Sequence, residues 1–191
     1  MGTNQNQYEY GLLVKNHYEK CWDREGNILT WEKGPMLSVF PAFRVLEFKP
    51  SENRKFWTYA TCGMSSLNDD KPIEIHLFSL EKDESLVELL TSVAYYHMTS
   101  ENKLGLWHTV NFGHPWKPNS KCEFGLISLP YLDGSELESL NIKDQLVKFY
   151  WLIPITHREI EYKKKYGVDK LEDRFELAQF NYLNPLRNSV I

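Results

Sequence analysis

The chain has little cysteine, no long apolar run and no excess of positive charge, and each shortage removes a class of protein. Its three cysteines, Cys21, Cys62 and Cys122, are odd in number and widely spaced. That is no disulfide framework, and it points to a reducing, cytoplasmic compartment. No apolar stretch approaches the roughly 20 residues of a membrane-spanning helix. The opening MGTNQNQYEYG has neither the basic start nor the apolar middle of a signal peptide. Asn6 stands where a myristoylation signal needs Ser or Thr. Lys and Arg number 22 against 26 Asp and Glu, a net charge of −4, which argues against direct nucleic-acid binding. The one basic run, Lys163-Lys164-Lys165, is flanked by Glu159, Glu161 and Asp169 and reads as a solvated helix face.

Chemical motifs are equally scarce. The phosphate-cradling patterns GxGxxG and GxxxxGK[ST] are missing, as are the hydrolase patterns GxSxG and HExxH. His108 and His114 flank a loop of Gly, Pro and Trp, with Cys122 following. Paired ligand spacings such as CxxC or HxxxH are missing there, so loop packing is the preferred reading and no metal is expected. The acid pairs Asp69-Asp70 and Asp83-Glu84 lie in polar turns beside lysines, where nothing would desolvate a carboxylate and tune it. No catalytic residue is assigned, and no cofactor is expected.

What the chain does have is ring-rich apolar material. Of 191 residues, 42% are hydrophobic, 14% aromatic and 25% charged, which suits a single domain over residues 1–191. Residues 8–21 read as a helix, although Leu12, Leu13, Asn16 and Lys20 make no clean stripe. Residues 26–41, with Gly34-Pro35 and Pro41, read as irregular connection. Residues 44–48 and 55–63 are rich in Val, Phe, Trp, Tyr and Thr and are separated by Pro50-Ser51-Glu52-Asn53, which predicts a hairpin. In its second strand Phe56, Thr58, Ala60 and Cys62 face one way and Trp57, Tyr59 and Thr61 the other. Residues 73–80 make a third strand with Ile73, Ile75 and Leu77 on one face. Leu86, Leu89, Leu90, Val93, Ala94 and His97 then recur at helical spacing, in a helix ending near Glu101.

A short strand over 109–112 and apolar strands over 122–129 and 147–153 follow. Thr156-His157-Arg158-Glu159 is a capping box, and Gly167 ends the helix it starts in the left-handed cap position. Asp169-Lys170-Leu171-Glu172 carries the cap and acidic third position of a last helix, buried through Leu171, Phe175 and Ala178. This order predicts an α+β fold, an α/β sandwich in which helices pack on a mixed, mainly antiparallel sheet.

Five segments, in order, carry a resemblance. Phe56-Trp57-Thr58-Tyr59-Ala60-Thr61-Cys62-Gly63-Met64-Ser65 has the pattern W-x-Y-A-T-x-G-M-S. Leu86-Val87-Glu88-Leu89-Leu90 leads to Tyr95-Tyr96. Trp107-His108-Thr109-Val110-Asn111-Phe112-Gly113 precedes Pro115-Trp116. Leu126-Ile127-Ser128-Leu129 ends in Pro130-Tyr131. Phe149-Tyr150-Trp151-Leu152-Ile153 runs into Pro154-Ile155-Thr156 with Glu159. Together, over roughly residues 39–177, they resemble the suppressor-of-fused domain family, with Trp107 standing where many members have Gly.

The resemblance implies a suppressor-of-fused-like fold and a binding module rather than an enzyme. Animal members sequester a transcription factor by gripping a short extended peptide. Stand-alone members look bacterial, and many lie beside polymorphic or LXG-type toxins as immunity proteins. The reading it supports is a cytoplasmic antitoxin that binds and neutralises a cognate protein toxin, possible nuclease included, by stoichiometric occlusion. One rival is an adaptor that sequesters a regulatory protein; the other is a hydrolase using His108 and His114 with an acidic partner.

Tight binding needs an aromatic anchor cluster ringed by polar groups. The 107–116 loop offers Trp107, His108, Phe112 and Trp116, rings that could equally pack into the core. The turn after Gly63 offers Met64 and Ser65, and there a purely structural turn is the stronger reading. Six acids stand against two bases over residues 69–84, and four against one over residues 133–144. Asp133, Glu136 and Glu138 are expected to meet the basic groove of a nuclease toxin.

Overall fold

The computed structural model describes residues 2–191. Helix α1 (Gly2–Trp22) leads through the short strand β1 (Asn27–Leu29) and the single turn α2 (Met36–Val39) into the strands β2 (Arg44–Phe48), β3 (Trp57–Cys62) and β4 (Ile73–Ser79). Helix α3 (Ser85–Thr99) follows, then β5 (Thr109–Asn111), β6 (Cys122–Ser128), β7 (Ser139–Ile142) and β8 (Gln145–Thr156), and last the helices α4 (His157–Tyr166) and α5 (Val168–Leu177). The strands form one sheet in the order β1-β2-β3-β4-β8-β6-β5, with β7 pairing the start of β8. Only the central β4–β8 pair is parallel. The mixed, mainly antiparallel sheet of the sequence reading is therefore the one observed.

Strand parity divides the sheet's two faces. Val45, Tyr59, Ile73, Ile75, Leu77 and Leu152 pack with Leu86, Leu89, Leu90, Val93 and Ala94, the stripe expected for α3. Residues of the opposite parity, Leu46, Ala60, Cys62, Val147 and Phe149, pack under α1. Trp151, Ile153 and Ile155, further along β8, pack under α4 and α5 with Ile160, Leu171 and Phe175. Because β4 is buried on both faces, its even positions Glu74, His76 and Phe78 point into an interior that demands partners for the first two.

Several local expectations are corrected. The buried stripe of α1 is Tyr10, Val14 and Tyr18, each 0% exposed, while Leu12 is 58% exposed; two tyrosines with a valine midway between them, not leucines, face the sheet. Residues 26–41 hold β1 and α2, and β7 was not anticipated. The capping box of α4 is present, with Thr156 N donating to Glu159 Oε2 at 2.7 Å and Glu159 N to Thr156 Oγ1 at 3.4 Å. Gly167 has a positive φ of 90° but a ψ of 166°, outside the left-handed helical region, and it is itself the N-cap of α5, with no side-chain cap. Asp169 lies one residue inside the helix, and Ala178 is its exposed C-cap.

Candidate partner-binding site

The motif turn after β3 faces inward. Gly63 adopts φ +92°, which favours glycine, and this aims its own amide and that of Met64 at the Glu74 carboxylate. Glu74 Oε1 accepts from Gly63 N, Met64 N and Tyr10 Oη, each at 3.0 Å, and Oε2 accepts from Thr61 Oγ1 at 2.5 Å. No cation joins this set, so burial dominates and pushes the Glu74 carboxyl up to about 7. Ser65 Oγ accepts from Ile73 N at 2.9 Å and lies 3.3 Å from His97 Nε2. Leu104 N donates to His97 Nδ1 at 3.0 Å, so the ring proton sits on Nε2 and is given to Ser65. Burial, with Lys103 nearby, lowers His97 to about 4. Met64 and Ser65 are 0% and 1% exposed. They hold the turn together, and in this conformation neither reaches a partner.

Asp133 is likewise withdrawn from the surface. Its carboxylate pairs with Arg54 and accepts from Trp22 Nε1 at 2.7 Å. His76 Nε2 lies 3.0 Å from Asp133 Oδ2 without hydrogen-bond alignment. Burial and the Arg54 charge hold His76 well below its usual range, hence neutral. The Arg54 guanidinium stacks 5.0–5.3 Å from Trp22, Phe56 and Phe78, and burial lowers it to about 10, still charged at neutral pH. The residues counted as an acidic face also shrink. Glu74 is interior, and Asp83 pairs with Lys117 at 3.0 Å. Glu136 is exposed and Glu138 partly so.

The 107–116 loop divides. Trp116 is 3% exposed and belongs to the core under α3, a correction to its place among the partner contacts. Phe112 is partly buried, and its ring lies over Gly125, where a Cβ would come within 2.7 Å of it and 2.5 Å of Leu152. His108 and His114 are exposed. Trp107 is partly buried, lies outside the three apolar clusters of the described residues, and has φ +67°. A bulky side chain in that region costs about 1–2 kcal/mol, which explains why glycine suits the position. Trp107 N donates to Ile127 O at 2.8 Å, and Ile127 N donates to His108 O at 2.9 Å, fixing the bend.

Just beyond this bend lies β5, at the end of the sheet, paired among the described residues on one side only. Phe112 N points inward to Glu123 O at 2.9 Å, so by alternation the Asn111 amide points outward. Beside the strand is a cavity of about 230 Å³, whose walls include Val93 and Tyr96 of α3 and Val110, Phe112 and His114. The contribution of α3 escaped the sequence reading; the only available sign was the bulk of Tyr96 beside an otherwise regular stripe. Glu74 and His76, two titratable groups displaced by burial, are sealed at 0% exposure, so neither meets a substrate in this conformation. Among the described residues no group of three His, Cys, Asp or Glu is placed to hold a metal ion, and no helix is long and apolar enough to cross a membrane.

The family described as Suppressor of fused protein (SUFU) matches residues 41–188. No curated protein matches the chain in sequence. Among solved structures, a suppressor-of-fused homologue from Neisseria gonorrhoeae FA 1090 superposes with a TM-score of 0.84 at 30% identity, over 96% of this chain and 97% of that one. The Sufu–Fu complex gives a TM-score of 0.69 at 10% identity, over 95% of this chain and 91% of that one. Drosophila Suppressor of Fused gives 0.64 at 13% identity, over 95% of this chain but 51% of that one. At those two identities the likeness is one of fold alone. The family match covers most of the strands, the bend at Trp107 and the capping box of α4, and on that ground the chain belongs to the suppressor-of-fused protein family.

Proposed function

We propose that this chain is a protein-binding module that neutralises a cognate protein toxin by occlusion, gripping an extended segment of it along β5. The observation that carries the reading is the unpaired edge of β5, flanked by a tryptophan held in a costly conformation outside the core. An incoming strand would satisfy the outward backbone groups of Thr109 and Asn111, and its side chains would alternate between the cavity and the Trp107 and His108 side. Glu136 and Glu138 remain as the acidic contribution, and they steer association rather than anchor it. The finer step, from protein partner to toxin, rests on the resemblance to the bacterial members read as immunity proteins. Three unpaired cysteines fit a cytoplasmic site of action.

The test is co-expression with the product of the neighbouring gene. The chain should rescue growth and co-purify with that product in a fixed ratio. Asn111→Pro removes an outward N–H at an edge position that tolerates proline, and it should abolish both effects while leaving the melting temperature within a few degrees. Rescue that survives Asn111→Pro overturns edge-strand binding. A co-purifying partner with no toxicity of its own leaves the edge site standing and replaces the toxin by a sequestered regulatory protein.

A further inference from the structure

On the far side of the sheet from α3, α5 and the 131–132 segment wall a groove of about 670 Å³ over the end of β8. Its floor is aromatic. Trp151 lies 5.1 Å from Tyr182 at 88° and 6.5 Å from Phe180 at 27°, and Phe180 and Tyr182 are 6.1 Å apart at 63°. Three rings at these angles leave faces and edges turned toward one space. Tyr131 and Leu132, 58% and 47% exposed, stand on the rim.

The wall that meets Tyr131 is acidic, and Tyr131 Oη donates to Glu172 Oε2 at 3.3 Å. Asp169, Glu172, Asp173 and Glu176 fall at i, i+3, i+4 and i+7 of α5, one helix face, and all four line the groove. Three bases of this region are committed. Lys170 pairs with Asp173 at 2.9 Å, Arg174 Nε donates to Tyr162 Oη at 3.3 Å, and Arg54 pairs with Asp133. Glu172 accepts from Ser128 Oγ at 3.0 Å, yet burial first, and then Asp169 and Asp173, push its carboxyl up. Like charges thus crowd one wall of an apolar slot: Asp173 is paired with Lys170, while Asp169, Glu172 and Glu176 make no ion pair among the described residues.

We propose that this groove is a second docking surface, and that its occupant is a basic amphipathic segment of a protein partner, with an apolar anchor on the aromatic floor and Lys or Arg side chains along the α5 carboxylates. Charge complementarity selects this occupant. Cations gain both from the carboxylates and from the aromatic ring faces, while an acidic or purely apolar segment leaves Asp169, Glu172 and Glu176 without a counter-charge. The surface faces away from the β5 edge and does not depend on the function proposed for that edge.

The probe is a 14-residue synthetic amphipathic peptide of Leu and Lys, with its Glu-for-Lys counterpart, followed by fluorescence anisotropy against the full chain. The Lys peptide should bind and the Glu peptide should not. The triple change Asp169→Lys, Asp173→Lys, Glu176→Lys should weaken binding at least tenfold. Glu32→Lys, Glu52→Lys, Glu101→Lys, which reverses as many exposed acids elsewhere, should weaken it less than threefold. Leu132→Glu, which keeps every α5 charge, should weaken it about fivefold or more if the apolar anchor is real. Equal losses in the two triples, or no effect of Leu132→Glu, would mean bulk attraction and overturn the proposal. So would a dimer of the chain that the α5 triple dissociates, since the occupant would then be the Lys163–Lys165 run of a second copy.

Discussion

The turn after β3 and the bend before β5 are made of similar material, a single left-handed position beside a large apolar side chain, yet they do opposite things. At the first, Gly63 takes the left-handed position without strain, and Met64 and Ser65 vanish into a lattice of hydrogen bonds to Glu74, Ile73 and His97. At the second, Trp107 takes it with strain and keeps part of its ring outside the apolar clusters. Motif strength alone does not separate them, since both lie in segments that resemble the family. The separation comes from what surrounds each. One turn is enclosed by α1, α3 and β4; the other lies at the edge of the sheet, with no further strand beyond it among the described residues.

The largest expected effect lies at the enclosed turn and is a matter of pH. A folded-state pKa for Glu74 near 7, against 4.5 in the unfolded chain, means the native state holds that proton more tightly. Its contribution is fully present below about pH 4.5 and is lost as pH rises through about 7, a change of about 3 kcal/mol at 1.36 kcal/mol per unit. His97, lowered to about 4 from 6.5, has the reverse sign. Its native state resists protonation, so stability is present above about pH 6.5 and is lost as pH falls toward 4. Over pH 4.5–6.5 the two slopes oppose each other. Urea unfolding should therefore show a shallow pH dependence in the parent. Glu74→Gln should become clearly less stable with acid, and His97→Gln clearly less stable with base. Parallel curves for all three would show that the turn is not held between these two groups.

A smaller effect sharpens the division of labour. Ser65→Ala leaves the buried Ile73 amide without its acceptor and should cost about 1–3 kcal/mol by chemical denaturation, while partner affinity stays within twofold. A binding loss larger than the stability loss explains would return Ser65 to the partner surface.

The smallest effect should come from the strained bend. Trp107→Ala keeps the left-handed strain and discards the ring, whereas Trp107→Gly discards both. The glycine variant should thus be more stable than the alanine variant by about 1 kcal/mol. Both should weaken partner binding at least tenfold. If alanine proved the more stable, the bend would not be strained, and the argument that Trp107 is kept there for a partner would fall.

The α3 stripe, the β2–β3 hairpin, the capping box of α4 and the inward Ile73, Ile75 and Leu77 were all legible in the sequence, because each is a local pattern of period 2 or 3.6 or a fixed four-residue exchange of hydrogen bonds. Resemblance supplied the family. Helix α1 was half legible, since its buried stripe is polar-tipped tyrosine and Leu12 and Leu13 mislead. Charge was the poorest guide. Asp133, Glu74 and Asp83 look alike in the sequence, but one pairs with Arg54 across 79 residues, one is enclosed by neutral donors, and one pairs with Lys117.

Composition and periodicity by themselves determined that strands flank a long amphipathic helix and that more helices close the chain, since local backbone preference and hydrophobic spacing suffice for that. Only the tertiary structure decided which rings and acids remain outside. Trp107 stays partly out and Trp116 goes in, though only eight residues separate them, because β5 is an edge and the floor beneath α3 is not. The α5 carboxylates face an aromatic slot because Trp151 and Tyr182, brought together from distant parts of the chain, close beneath them. Exposure is a property of what packs against a residue, and for these residues the partners come from far along the chain.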